Sequence, residues 1–475
     1  MRLHRSGMLR ELLLWLAGLS AAALLAAAPA GATRPLALGF SSDPALSLIR
    51  VPARIPWIGR AVGDGAGIVR VNLDWAQVAP ARPRGFNAGD PGSHGYNWAA
   101  TDSSVRELSA RGLRVLLTVF DAPAWAQGRH RPANATPGTW RPDPRALAAF
   151  ATAAARRYDG AYPLSAPLPR VGLWQAWNEP NLGYYLSPQW TRSHGRFQPA
   201  SPGIYRQLLN AFYGGVKSVS GSNLVVTGGT APYGDGPGGA RMQPVAFDRS
   251  LFCLRGSALR PTSCPDPPHL DVLSHHPYAT GGPLQHAFNA DDAAVPDVRK
   301  LARVLHAAER YGHVLPRTRK RLWVTEISWD SSPPDPHGVP IARQARWLEQ
   351  SLYVLWRQGV DTVLWLQIVD SPPIPDYADS YQAGVYFLSR APKPAAVAYR
   401  FPFVVQRLGH ARVLAWGRAP APGQLSIQVL DHGRWRTLRR LGVQAGEVFA
   451  PTLKLRGRAT LRAQLGSQTS LTWGA

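Results

Sequence analysis

Short apolar runs alternate with amphipathic stretches along most of the chain, and this alternation constrains the fold more than any other feature. The runs, rich in Val, Leu and Trp, occupy residues 35–40, 67–75, 114–122, 171–179, 223–229, 271–278, 321–329 and 362–370. Stretches with apolar residues at three- and four-residue spacing follow at 103–112, 144–158, 204–219, 298–312 and 341–359, and this spacing predicts helices. Eight strand–helix alternations predict an α/β fold, a (β/α)8 TIM barrel. An open doubly wound sheet is the second choice, although no Gly-rich phosphate turn follows the first strand.

The character of the sequence changes near residue 404. Short strand-like runs then alternate with Gly and Pro turns, without a helical period. This pattern predicts a small all-β domain, a sandwich or a barrel. We therefore expect a catalytic barrel over 33–403 and a small β domain over 404–475.

The first 32 residues have the pattern of a signal peptide. Three arginines precede a long apolar run that closes on the small residues Ala30, Gly31 and Ala32, so we expect cleavage there and a secreted or cell-surface protein. An uncleaved anchor is the alternative. The two cysteines, Cys253 and Cys264, lie close together, and an exported chain favours a disulfide between them over two free thiols.

The chain is strongly basic, with a formal net charge of +24. From Val404 onward, eleven Lys and Arg residues face two acids. Long-range electrostatics would attract an acidic wall polymer or an anionic membrane surface to this region, and biased composition explains the charge equally well. The sequence lacks the common nucleic-acid-binding motifs, so we expect no nucleic-acid partner.

Two glutamates end predicted strands. Glu179, in "WNEPN" at 177–181, ends the fourth run, and Glu326 lies near the end of the seventh. In a barrel of this kind the carboxyl ends of the strands form the active face, so both side chains should enter one mouth. Carboxyl groups about 5–5.5 Å apart support glycoside hydrolysis with retention by double displacement. The tripeptide Asn-Glu-Pro could also be an ordinary turn without a catalytic role. The matching Glu on strand seven favours catalysis.

These residues carry a family resemblance. "WNEPN" together with "VTEISW" at 324–329 resembles clan A of the retaining glycoside hydrolases, most closely families 39 and 5, over residues 33–400. The resemblance implies Glu179 as acid/base and Glu326 as nucleophile, with Arg70 on strand two, His276 and Tyr278 on strand six, and Trp365 on strand eight as matching features. The strand-three histidine common in family 5 is absent, and Asp121 or Trp125 occupies that region.

Physical roles follow for the residues of the mouth. Glu179 needs a raised pKa, which an apolar surround from Trp174 and Trp177 and the charge of Glu326 would provide. Glu326 must stay ionised, and Arg70 with Tyr278 would keep it so. The alternative role for Arg70 is a structural salt bridge inside the barrel. The alternative for His275 and His276 is a structural role as hydrogen-bonded imidazoles. The predicted substrate contacts are Asn178, Arg70, His276, Tyr278, Trp365 and Trp125.

Tryptophans have a second interpretation. Trp174, Trp323 and Trp365 would also fill the inner layers of a barrel, and of these three only Trp365 is expected to contact a sugar. Trp416, Trp435 and Trp473 are expected to be core residues, with a carbohydrate platform as the alternative.

The sequence thus predicts an exported retaining glycoside hydrolase acting on a carbohydrate. We expect a monomer without a cofactor or metal; two isolated cysteines, and histidines without a carboxylate at ligand spacing, are a poor basis for a zinc site. An inactive carbohydrate-binding or wall-associated protein on a barrel scaffold is the alternative.

Overall fold

Eight parallel strands close into a barrel in which sequence neighbours pair all the way round. The structure is a computed structural model that describes residues 33–47 and 50–474. The strands are β1 (Ala37–Ser41), β2 (Ile68–Asp74), β3 (Arg114–Phe120), β4 (Leu173–Ala176), β5 (Leu224–Thr227), β6 (Val272–His275), β7 (Arg321–Val324) and β8 (Thr362–Trp365). Each lies within its predicted run, apart from Ser41 at one end, so the predicted TIM barrel is confirmed.

Ten helices accompany the strands within the described residues. They are α1 (Pro44–Ser47), α2 (Val51–Gly63), α3 (Trp75–Val78), α4 (Ala99–Ser109), α5 (Pro144–Arg157), α6 (Ser201–Val219), α7 (Pro244–Leu251), α8 (Val298–Tyr311), α9 (Ile341–Arg357) and α10 (Pro394–Arg400). The predicted leader, residues 1–32, lies outside the described residues. In the part of the chain that the structure describes, no helix is both long enough and apolar enough to cross a membrane.

Local sequence signals explain where helices start and stop. Asp143 precedes α5, and its side chain accepts from the backbone N–H groups of Arg145 at 2.8 Å and Ala146 at 3.3 Å, which satisfies two amides that a helix start leaves free. Gly312 ends α8 in the left-handed conformation at φ 69°, where a residue without Cβ avoids strain. These two caps set the start of α5 and the end of α8.

The strands from Phe403 onward form two antiparallel sheets. They are β9 (Phe403–Arg407), β10 (Arg412–Arg418), β11 (Gly423–Asp431), β12 (Arg434–Val443), β13 (Val448–Phe449), β14 (Thr452–Lys454), β15 (Thr460–Leu465), β16 (Gln468–Thr469) and β17 (Trp473–Gly474). One sheet holds β9, β10, β13 and β14, and the other holds β11, β12, β15, β16 and β17. Apolar side chains of both sheets share one core, which is the packing of a β-sandwich.

This β region packs directly on the barrel. Trp416 is fully buried, with its ring centroid 5.5 Å from that of Tyr353 and 6.0 Å from that of Trp356 on α9. Arg418 donates to the backbone oxygen of Leu36 at 3.0 Å. The chain from Pro35 onward accordingly forms one compact unit, and the domain boundary at residue 404 stays a prediction.

Trp435 and Trp473 are only partly buried, unlike Trp416. Arg462 lies 4.0 Å from the ring centroid of Trp435, and Arg346 lies 4.1 Å from that of Trp473. The expectation of core positions therefore fits Trp416 and fails for the other two, whose rings are covered on one face by a guanidinium.

The predicted disulfide between Cys253 and Cys264 is present. It closes the segment between α7 and β6, which folds into a short hairpin of Leu254–Arg255 against Arg260–Pro261. The bond restrains a loop on the barrel surface, as the spacing of the cysteines indicates.

Candidate active site

Alternation along the barrel strands builds two layers inside the barrel. The inner layer is apolar and consists of Ile68, Leu116, Leu173, Val226, Val272, Trp323 and Leu364. Two residues further along five of these strands, where side chains return to the same face, lies a polar layer of Arg70, Thr118, Gln175, Ser274 and Thr325. The polar layer therefore lies between the apolar inner layer and the carboxyl ends of the strands.

Hydrogen bonds connect the polar layer from strand to strand. Gln175 Oε1 accepts from Arg70 Nε at 2.6 Å and from Thr118 Oγ1 at 2.8 Å. Gln175 Nε2 donates to Thr325 Oγ1 at 3.1 Å, and the hydroxyls of Thr325 and Ser274 are 2.5 Å apart. All five side chains are buried, and a connected buried polar network holds its members in one arrangement.

Glu179 follows β4 on a strained turn. Trp177 and Glu179 have φ angles of 76° and 37°, in the left-handed region that non-Gly residues rarely adopt. The turn is anchored because the N–H of Glu179 donates to the carbonyl of Gly228 at 2.7 Å and the indole of Trp177 donates to the carbonyl of Tyr185 at 2.7 Å. Backbone conformations of this kind persist only where surrounding contacts hold them, and they concentrate at functional sites.

Glu326 lies two residues beyond β7 and is held by two donors. Arg70 donates from Nη1 to its Oε1, and the hydroxyl of Tyr278 donates to its Oε2 at 2.9 Å. Burial alone would raise the pKa of Glu326, but the charges of His276 and Arg70 and the hydrogen bonds from Tyr278 and Arg70 outweigh burial and lower the pKa below its ordinary value. Glu326 is therefore ionised near neutral pH.

Tyr278 keeps its proton in this setting. Its pKa lies well above the ordinary value, because of burial first and then the negative charges of Glu326 and Glu179. The phenol is consequently a hydrogen-bond donor to Glu326 across the whole physiological pH range.

His276 joins the two carboxylates. Its Nδ1 lies 2.9 Å from Glu179 Oε1 and 3.7 Å from Glu326 Oε2, and its Nε2 lies 2.9 Å from Thr325 Oγ1. One oxygen of each glutamate and one nitrogen of His276 all lie within 4.8 Å of one another. Both glutamates keep a small exposed fraction, 13% and 14% of the side chain, whereas His276 is fully buried. The two acids therefore face each other across one opening.

Asn178 belongs to the same cluster. Its Oδ1 accepts from Arg70 Nη2 at 2.7 Å, so the side-chain amide is oriented with its NH₂ group left to donate. Arg70 thus contacts Glu326, Asn178 and Gln175 at once, with the hydroxyl of Ser42 at 2.7 Å as a further acceptor.

Two predicted substrate contacts have a different position from the one expected. Arg70 and His276 expose 1% and 0% of their side chains, because their polar atoms bond the glutamates and the polar layer beneath. They position the acids and offer no surface to a ligand. Both residues therefore belong to a buried hydrogen-bond network beneath the two glutamates.

Trp365 is also buried, at 1% exposure. Its indole donates to the carbonyl of Ala383 at 2.8 Å, and its ring centroid lies 6.1 Å from that of Trp329. No face of the ring is open to a sugar, so the expected stacking contact is wrong for this arrangement.

Trp174, Trp323 and Trp125 differ from one another in their surroundings. Trp323 belongs to the apolar inner layer, while Trp174 packs in the core between strands and helices. Since Gln175 enters the barrel, its neighbour Trp174 faces away from Glu179. Trp125 is half-buried and donates to the carbonyl of Ala79 at 2.9 Å, on the loop that follows β2.

Asp121 occupies the end of β3 with a φ of 55°. Burial first, and then the charge of Asp74, raises the pKa of Asp121 to about 6. His275, by contrast, is structural. It bonds Thr230 and the carbonyl of Ala293, and burial lowers its pKa to about 3.

The structure adds residues that the sequence did not single out. Burial first, and then the charges of Glu179 and Glu326, raise the pKa of Tyr185 on the loop after β4. Tyr381, on the loop after β8, exposes 54% of its surface. Gly229, at φ 54°, lies directly against His276, since a Cβ there would be 2.2 Å from Nε2. The paired glycines after β5 were a signal for this close approach, and nothing in the sequence marked Gln175 or Thr325.

Glu179, His276 and Glu326 also have the donor types of a metal site. The sequence has no carboxylate at ligand spacing from the histidines, but residues distant in sequence meet here. Arg70, however, contacts Glu326 directly, and its permanent positive charge disfavours a second cation at the same carboxylate.

Comparisons with known proteins concern the fold. No family model and no curated protein matches the chain. Among solved structures, a family 39 glycoside hydrolase from Bacteroides cellulosilyticus WH2 is similar, with a TM-score of 0.55 and 19% identity over 89% of this chain and 81% of that one. A glucosidase from Croceicoccus marinus has a TM-score of 0.52 and 16% identity over 90% and 95% of the two chains. The chain has the barrel fold of these glycoside hydrolases.

Proposed function

We propose that this protein is a retaining glycoside hydrolase, with Glu326 as nucleophile and Glu179 as acid/base. The observation that carries the proposal is the pair of carboxylates at the mouth of the barrel, with oxygens within 4.8 Å and with different surroundings. Carboxyl groups about 5–5.5 Å apart leave room for direct attack on the anomeric carbon, whereas inverting enzymes need about 6.5–9.5 Å for an intervening water.

The surroundings of each acid support its role. Glu326 is ionised through Arg70 and Tyr278 and can attack the anomeric carbon without first losing a proton. Glu179 lies against the imidazole of His276, which shares a hydrogen bond with it as the carboxyl group gives its proton to the leaving oxygen and later takes one from water. The free NH₂ group of Asn178 is available to the sugar 2-hydroxyl, a contact that strengthens in the transition state. No cofactor takes part in this mechanism.

A nucleophile variant tests the proposal. Glu326→Ala removes the attacking carboxylate and leaves Glu179 in place, so turnover of activated aryl glycosides should fall by several orders of magnitude. Azide fills the space of the lost carboxylate and should restore part of the rate as a glycosyl azide forms. Unchanged turnover in the variant, measured beside a Glu447→Ala control on the β region, would remove the assignment of Glu326.

The other candidate is an inactive carbohydrate-binding protein on the same scaffold. The exposed fraction that both glutamates keep and the donors on Glu326 favour the hydrolase, because a site that only binds sugar has no need for an ionised carboxylate facing a second one. A screen of aryl glycosides in which no sugar is turned over, while wild-type protein binds oligosaccharides, would favour the binding protein.

We further propose that the protein is exported and that its β region contacts an acidic wall polymer or anionic membrane surface. The leader sequence and the disulfide support export. Four exposed arginines on the edge strand β12 support the contact: Arg434, Arg436, Arg439 and Arg440. Deleting the β region would expose the barrel surface on which Trp416 packs. The test therefore reverses the charge of two arginines and keeps the region in place. Arg439→Glu with Arg440→Glu should lower retention on such a surface at low salt, and equal retention would leave the charge without a partner.

A further inference from the structure

A second concave surface lies beside the proposed active site. It is formed by the loop after β3, the loop after β4 with its hairpin Trp190–Ser193 and Arg196–Pro199, and the loop after β5. Its cavity volume is about 540 Å³, within the range of about 300–1,000 Å³ that ligand sites occupy. We call this surface the β3–β5 groove.

The groove adjoins the glutamates through two neighbouring tyrosines. Tyr184 lines the groove, and the carbonyl of its neighbour Tyr185 accepts from the indole of Trp177 at 2.7 Å, on the turn that carries Glu179. The ring centroids of the two tyrosines are 4.9 Å apart. The loop carrying them is fixed on the far side, because the N–H of Gly183 donates to the carbonyl of Ala240 at 2.8 Å. Tyr184 and Tyr185 therefore connect the turn of Glu179 to the groove.

The position of the acid identifies which part of a substrate goes there. Glu179 must come within hydrogen-bonding reach of the leaving oxygen, and Glu179 follows β4, which lies between β3 and β5 in the barrel. The group released in the first step is attached to that oxygen. It consequently lies on the β4 side of the site, and the groove lies on that side.

The lining has flat apolar faces. Tyr184 and Phe197 expose 65% and 44% of their surface, and Trp140 and Trp190 are partly exposed beside them. Aromatic faces pack against the C–H faces of sugar rings. Four such rings around one groove suit an oligosaccharide better than a compact leaving group.

The segments that form the groove are strongly basic. The three segments that form the groove, 129–141, 182–199 and 235–241, contain six arginines and a single acid, Asp235. Asp235 is paired with Arg241 at 2.7 Å, which leaves five cations unbalanced within these segments. They are exposed and consist of Arg129, Arg131, Arg141, Arg192 and Arg196.

Two of these cations are held over the aromatic lining. The guanidinium of Arg141 lies 5.6 Å from the ring centroid of Trp140, and that of Arg192 lies 5.2 Å from that of Phe197. Cation–π contacts of this kind cover one face of each ring and keep a positive charge at the aromatic lining. A ligand here meets an aromatic face and a guanidinium together.

We propose that the β3–β5 groove binds the leaving-group side of an anionic glycan, one that carries carboxylate or sulfate groups. This assignment rests on the proposed function for its orientation and names the class of substrate. Arginine forms paired hydrogen bonds with planar carboxylates and with sulfate oxygens, and the aromatic faces accept the rings between those groups. The groove thus selects a polyanionic chain by charge and by its sugar faces.

The test measures binding, so it does not depend on turnover. Full-length protein carrying Glu326→Gln is titrated with oligogalacturonate, with a chondroitin sulfate oligosaccharide and with neutral xylohexaose. Binding of either anionic probe well above the neutral probe at low salt is expected, and the stronger of the two anionic arms identifies carboxylate or sulfate. Equal affinity for the neutral probe would overturn the proposal.

Paired arginine variants locate the site. Arg192→Ala with Arg196→Ala, made in the Glu326→Gln protein, should lower affinity for the anionic probe about threefold to tenfold, as expected for two partly screened charge contacts. The difference should shrink at 0.5 M salt, where the Debye length falls to about 4 Å. Arg317→Ala with Arg319→Ala, two exposed arginines between α8 and β7 and outside the loops of the groove, is the matched control and should change affinity less. An equal loss in both pairs would overturn the groove as the site.

A duplex DNA of similar charge separates glycan binding from general attraction to polyanions. DNA that competes as well as the oligosaccharide would overturn the glycan assignment. Melting temperatures of the variants establish that they fold. The Glu326→Ala turnover experiment tests the hydrolase assignment, and the binding titrations test the groove assignment. Either assignment can therefore fail without the other.

Discussion

Replacing Tyr278 by phenylalanine removes one hydroxyl from the proposed active site and leaves the ring in place. That hydroxyl donates to Glu326 Oε2 at 2.9 Å and is one of the contacts that hold the pKa of Glu326 below its ordinary value. A hydrogen bond to a charged group contributes about 1.5–3 kcal/mol, and one pKa unit corresponds to about 1.36 kcal/mol. Loss of the bond should therefore raise the pKa of Glu326 by about one to two units.

The sign of the effect on activity follows from the role of Glu326. Catalysis needs the ionised form, so activity falls as the pH drops through its pKa, and a raised pKa moves this acidic limb to higher pH. The profile of kcat/KM against pH, measured at constant ionic strength on an aryl glycoside, reports the free enzyme. The basic limb should move less, because Glu179 bonds His276 and not Tyr278.

A control of the same chemistry is Tyr213→Phe on α6, outside the site. Its profile should match the wild type. An acidic limb that stays in place in Tyr278→Phe, with turnover retained, would refute the assignment of Glu326 as the nucleophile held ionised by this hydroxyl.

Two further predictions concern stability. Burial raises the pKa of Asp248 on α7 to about 8, above about 3.9 in an unfolded chain, so the folded state holds a proton that the unfolded state loses and stability should decline as pH rises from 4 to 8. In Asp248→Asn the melting temperature should fall less between pH 5 and 8 than in the wild type, and parallel curves would contradict this. The double variant Cys253→Ser, Cys264→Ser removes a cross-link between residues separated by 11 positions. By the loop-closure entropy of the unfolded chain, a cross-link of this span adds about 3 kcal/mol to the free energy of unfolding. The variant should melt at a lower temperature than the oxidised wild type and should match the wild type treated with reductant, while a reductant that changes nothing would argue against the bond.

The sequence alone determined the barrel and the ends of its strands. Apolar runs of the right length, separated by helices with clear caps, leave few other ways to bury so much surface, and the eight strands lie where the runs predict them. The chemistry at the strand ends was equally local: Glu179 and Glu326 follow β4 and β7, and the closed barrel brings both ends to one face. Contacts such as Arg70 and Tyr278 against Glu326 were expected from the types of residue that keep a carboxylate ionised.

Tertiary structure decided which side chains face the opening and which lie beneath it. His276 and Arg70 are in the right strands, yet the register of a closed barrel sets them below the glutamates, where Gln175 and Thr325 complete their hydrogen bonds. Trp365 is buried against Trp329 for the same reason, since one step along a strand turns a side chain to the other face. The β3–β5 groove combines loops that are up to about a hundred residues apart. The arginines and aromatic rings of these loops are far apart in the sequence. They become neighbours only when the barrel brings the ends of β3, β4 and β5 together.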